Sequence, residues 1–171
     1  MAGPPDRYIV DACVVARMRR MGMDVLATFG PVDVVPSLVV VDELLFGLPE
    51  HHPIYEANVG LLADLGDPIE NEPEIFFRAT DLLRDYGRHH EPLEERGAMI
   101  AAAALVHDRI LITSNVSDFH FIEGLRYLDA SGHGVGDAPL MQARDVLIGA
   151  ISSSPCCELI RADRKRRRSR V

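Results

Sequence analysis

The sequence predicts an α/β sandwich with a mainly parallel central sheet. Two short apolar runs, Tyr8–Val10 and Arg109–Thr113, are rich in β-branched residues and too brief for buried helices. Stretches with helical spacing separate the candidate strands, as the crossovers of a parallel sheet require. Each of the two runs also gives way to polar residues at its carboxyl end, Asp11 after the first and Ser114-Asn115 after the second. In open α/β sheets that edge is where ligands bind.

In chain order, Tyr8-Ile-Val10 reads as a buried strand carrying Asp11 at its end. A helix rich in Ala, Val, Arg and Met runs from Ala12 to about Met21. Phe29-Gly-Pro31 signals a turn, and the β-branched Val32–Val35 a second short strand. Pro36-Ser37 opens a helix with Ser37 as N-cap, and Gly47-Leu48-Pro49 stops the apolar run Leu38–Leu48. Ile54–Asp64 is a further helix. Ile75–Gly87 has apolar residues at helical spacing and Gly87 as C-cap. Glu94–His107 is strongly helical, and its run Ala101–Ala104 calls for close packing against another layer. After the Arg109–Thr113 strand come a turn or short helix at Phe119–Leu125, a last strand within Leu125–Leu128, a Gly-rich linker at Ser131–Gly136, and an amphipathic helix at Pro139–Ile151.

A length of 171 residues suits one domain. Residues 1–150 are expected to form it, with 151–171 a flexible basic tail. Hydrophobic residues make up 47% and charged residues 26%, which excludes wholesale disorder. No apolar run reaches the ~18 residues of a membrane span, and the first six residues lack signal-peptide character. These features imply a cytoplasmic protein with no membrane partner. Three cysteines, two of them adjacent, suit a reducing compartment, and no Cys/His spacing resembles a zinc site. The pairs His51-His52 and His89-His90 read as surface residues. Net charge is -8, but it is unevenly placed: residues 161–171 carry seven basic groups and one acid, so the other 160 carry 11 and 25. Such a tail can neutralise phosphates, fold onto the acidic body or stay solvated.

Asp11 and Asp118, each following an apolar strand, would converge at one sheet edge. Clustered carboxylates repel, and a hard divalent cation such as Mg²⁺ or Mn²⁺ relieves that repulsion. A cation so held activates water and stabilises charge on a phosphoryl group. Local pattern alone leaves another reading equally open, in which Asp11 caps the following helix and Asp118 belongs to a turn.

Three segments together resemble the PIN domain, most closely the VapC-type toxin ribonucleases. They are Tyr8-Ile-Val-Asp-Ala-Cys-Val14, Glu43-Leu-Leu-Phe-Gly47, and the uninterrupted Ile100-Ala-Ala-Ala-Ala-Leu-Val-His-Asp-Arg-Ile-Leu-Ile-Thr-Ser-Asn-Val-Ser-Asp-Phe119, followed by Glu123-Gly124-Leu125. The third is the most specific, and the resemblance covers residues 7 to about 130. It implies an Mg²⁺- or Mn²⁺-dependent endoribonuclease, the toxin of a type II toxin–antitoxin pair. It also implies Asp11, Glu43 and Asp118 as metal ligands, with Thr113 and Asn115 orienting Asp118 or a water. RNA is the implied substrate, a cognate antitoxin the implied protein partner, and a homodimer the implied assembly. Asp42 would be solvent-facing or a support.

One departure stands out. The family has an acid three residues before the Ile-Ala-Ala motif, and Gly97 occupies that position. Glu94, one helical turn earlier, would supply a longer carboxylate from about the same face. The alternatives are a catalytically degenerate PIN-fold module that binds RNA or protein without cutting, and a toxin disarmed by substitution.

Overall fold

The computed structural model describes residues 7–30, 32–86 and 93–131. Four strands form one all-parallel sheet in the order β2-β1-β3-β4. β1 (Arg7–Val10) lies at its centre, and every residue after Arg7 is buried. Burial on both faces is what a central parallel strand demands, and it explains the unbroken apolar run. α1 (Ala12–Met21) follows at once and ends at Gly22, whose left-handed φ of 62° turns its N–H back to the Arg19 carbonyl. α2 (Val25–Phe29) is a single short turn, and β2 (Asp33–Val35) pairs with β1 from Arg7↔Asp33 to Ile9↔Val35.

α3 (Leu38–Leu45) is capped as its sequence predicts, with Ser37 Oγ accepting from the Val40 N–H at 3.4 Å. It stops at Leu45 rather than Leu48. α4 (Pro53–Asp64) opens on His52, whose Nδ1 accepts from the Ile54 N–H at 3.1 Å. α5 (Pro73–Tyr86) buries Ile75, Ala79 and Leu82. α6 (Glu95–Val106) buries Ala101 to Ala104, and α5 and β3 both pack on it. β3 (Ile110–Thr113) pairs with β1, and β4 (Tyr127–Asp129) pairs with β3.

Chain direction across the sheet reverses at β1. The first crossover steps from β1 to β2, and the next returns past β1 to β3. The gap between the carboxyl ends of β1 and β3 is the topological switch point. At the opposite end Arg109 clamps the sheet, pairing with Asp33 at 3.1 Å and donating to the Tyr8 carbonyl at 3.2 Å. No helix of the described residues is long and apolar enough to cross a membrane. The Gly87 cap, the His89-His90 pair, the linker beyond Ser131, the Pro139–Ile151 helix and the basic tail lie outside the described residues.

Candidate active site

The Asp11 carboxylate sits at the switch point, with only 7% of the residue exposed. Its backbone N–H continues the β1–β3 ladder, donating to the Ile112 carbonyl at 2.9 Å. Asp11 occupies the N-cap position of α1, yet its side chain makes no capping bond. Instead Oδ2 accepts from Thr113 Oγ1 at 2.6 Å and from Cys13 Sγ at 3.2 Å. The helix-cap reading of Asp11 is thereby overturned. Its carboxylate is held by Thr113 of the neighbouring strand and by the Cys13 side chain of α1, and by none of the free backbone N–H groups of the helix.

Thr113 is fully buried at the end of β3. Its hydroxyl also accepts from the Asn115 N–H at 3.0 Å. The hydroxyl thus serves Asp11 and the next loop, whereas the sequence assigns it to Asp118 or a water. Asn115 does engage Asp118: its amide donates to Asp118 Oδ2. Ser117 Oγ bridges the pair, 3.0 Å from Asn115 Oδ1 and 3.2 Å from Asp118 Oδ1. Asp118 ends a short 3₁₀ turn, Val116–Asp118, so the turn reading of this residue is correct as local structure.

Asp11, Glu43, Glu94, Asn115 and Asp118 line one cavity of about 330 Å³, together with Cys13, Arg96, Gly97 and Phe119. Five of the six candidate residues therefore meet in one place, and Thr113 lies behind the wall. Glu94 reaches the cavity as the N-cap of α6, one residue before the helix begins. Its side chain makes no capping bond either.

Charge in the cavity is lopsided. Burial, followed by the nearby Asp11 carboxylate, pushes the Glu43 carboxyl above the usual glutamate range, and Arg96 partly offsets this. Burial and the Asp11 charge likewise raise the Cys13 thiol, which argues against a thiolate nucleophile. Arg96 approaches Asp42 Oδ2 at 3.5 Å and Glu43 Oε1 at 3.9 Å, bridging α6 to α3. Asp42 is more than half exposed, as a residue outside the cavity should be.

Four carboxylates and one amide suit hard divalent cations, which prefer oxygen donors. Among the described residues no three carboxylate, imidazole or thiol groups are gathered closely enough to hold an ion between them. An ion held by these residues would therefore have to keep much of its water shell. Gly97 stands in the cavity wall, where an added Cβ would lie 3.4 Å from Leu93 Cδ1 and 3.9 Å from Phe119 Cε1, ordinary contact distances. A Cβ would be accommodated there.

Sequence reasoning did not single out Cys13, Arg96 or Ser117. Each lies within two positions of a chosen residue in the chain, but its partner comes from packing or from a turn that spacing does not report.

No family model matches the chain, and no curated protein matches it. Solved structures do. A chain of DNA-bound VapBC from Salmonella typhimurium aligns with a TM-score of 0.62 at 18% identity, covering 72% of this chain and 98% of that one. VapBC-1 from nontypeable Haemophilus influenzae gives 0.62 at 20% identity, covering 73% and 98%. A toxin-antitoxin complex from Klebsiella pneumoniae gives 0.52 at 23% identity, covering 69% and 94%. The chain has the fold of these chains, the PIN-like α/β architecture that the sequence resemblance implies.

Proposed function

We propose that this protein is a divalent-metal-dependent endoribonuclease and the toxin of a toxin–antitoxin pair. The observation that carries this reading is the convergence of Asp11, Glu43, Glu94 and Asp118 on one cavity at the sheet's switch point. That Asp11 is fixed by Thr113 instead of capping α1 adds to it.

Asp11, Glu43 and Asp118 would hold Mg²⁺ or Mn²⁺, partly through water, with Glu94 supplying a fourth carboxylate. The bound ion would supply an activated water and neutralise charge developing on the phosphoryl group. Thr113 and Cys13 fix one oxygen of Asp11, so the carboxylate need not reorganise during reaction. Asn115 and Ser117 do the same for Asp118. Burial and the Asp11 charge raise the Glu43 carboxyl above its usual range, so protons would compete with the cation there. An antitoxin partner is supported by the neighbours, which are complexes.

The test is cleavage of a panel of structured and single-stranded RNAs by metal-replete protein free of any partner. Cleavage that vanishes in EDTA and with Asp11→Asn supports the reading. Intact RNA across the panel defeats it. Gly97 favours one competing reading, a PIN-like module that binds without cutting. RNA binding without cleavage, and cleavage gained with Gly97→Asp, would establish that alternative.

A further inference from the structure

An acidic cavity is a poor receptor for a polyanion unless something in it attracts phosphate. Four of its lining residues are carboxylates, and the body outside the basic tail is strongly acidic. Arg96 is the one cation among the described residues that line it. It sits in the first turn of α6, between Glu94 and Gly97, with its side chain 53% exposed. Its separations of 3.5 Å and 3.9 Å from Asp42 and Glu43 exceed good hydrogen-bond length. The Asp42 pair is exposed on both sides and the contact with the half-buried Glu43 is at 3.9 Å, so the guanidinium can leave them at modest cost. A planar guanidinium fork also matches phosphate better than it matches two separate carboxylates.

We propose that Arg96 is the phosphate anchor of the cavity, exchanging Asp42 and Glu43 for a backbone phosphate of single-stranded RNA. This deepens the ribonuclease reading and rests on it for the choice of RNA as ligand. Glu43 then has a second role, as the placeholder that keeps the anchor beside the cavity until RNA arrives. No bond forms or breaks in the exchange.

The experiment is anisotropy of a labelled single-stranded RNA oligonucleotide titrated with the full chain in EDTA, over a salt series. Arg96→Gln is expected to weaken binding about tenfold at low salt, the loss of one charge-assisted contact. It should also reduce the slope of log affinity against log salt by about 0.7. Arg96→Lys should recover part of the affinity, since it keeps the charge and loses the fork. Glu43→Gln should tighten binding severalfold, because it frees the anchor and removes a repelling charge. A merely structural Arg96 would not give these opposite signs. The proposal is overturned if wild-type protein binds no RNA, if Arg96→Gln binds like wild type with the same slope, or if Glu43→Gln weakens binding. Arg96-dependent binding without cleavage by the metal-replete chain sinks the ribonuclease reading and leaves the anchor standing. Cleavage with Arg96-independent binding does the reverse.

Discussion

Thr113 Oγ1 donates to Asp11 Oδ2 across 2.6 Å, joining side chains 102 positions apart in the sequence. The bond crosses between the carboxyl ends of β3 and β1, and both partners are buried. It is the link by which the sheet itself positions the carboxylate.

Thr113→Val keeps the shape and removes the hydroxyl. Asp11 loses its shortest donor and the Asn115 N–H loses its acceptor. Urea denaturation is expected to show a loss of about 1–3 kcal/mol, the cost of leaving buried polar groups unsatisfied. Thr113→Ser should retain most of that stability. Equal midpoints for Val and wild type would show that the bond does not form in solution.

Gly97→Asp adds a carboxylate to the wall where a Cβ finds ordinary contacts. The position is the third of α6, and acids are favoured in a first helical turn. The variant should therefore fold, and its Mn²⁺ affinity by calorimetry should rise about tenfold or more, from the added charge close to the ion. Unchanged affinity would mean that residue 97 does not face the cation.

Glu43→Gln should raise stability at neutral pH. The folded protein holds the Glu43 carboxyl above its usual range, so this group's contribution is full in acid and is lost as pH rises through the raised value. Glutamine has no such loss. The advantage of the variant in urea midpoint should be nil in acid and grow toward neutrality. A difference that shrinks as pH rises would contradict the cause assigned here, burial beside Asp11.

Asn58 is 1% exposed on α4, and it donates to the Leu44 carbonyl at 2.6 Å while accepting from Arg19 at 2.8 Å. One amide thus ties α1, α3 and α4, and it satisfies a carbonyl at the end of a helix. Asn58→Ala should cost about 2–3 kcal/mol by chemical denaturation, chiefly from the unmet carbonyl and the void. A loss below about 0.5 kcal/mol would show that water replaces it readily.

Much of this architecture is legible in the sequence because β1 and β3 are buried on both faces and α5 is amphipathic. Their patterns report burial directly. α2 escaped because five residues make little more than one turn and carry no period to read. The Leu38–Leu48 run overstates α3 because hydrophobicity continues past Leu45 into residues that are not helical. The acids were visible as types at strand ends, whereas the Arg96 contacts depend on how α6 lies against α3. Glu94 was placed by assuming a helix through it. It reaches the cavity from just outside that helix, because the chain enters α6 beside the switch point.

The order of strands in the sheet also sets a timetable. β1 leaves the ribosome well before its central neighbour β3, which is about a hundred positions later. Parallel pairings over such separations are slow to form, because a long loop must close before contacts reward it. At about 5–20 residues per second, the Thr113 hydroxyl follows Asp11 by roughly 5–20 seconds of synthesis. A nascent chain broken off in α5 would carry Asp11 and Glu43 but no wall to set them against. The cavity belongs to the finished domain alone.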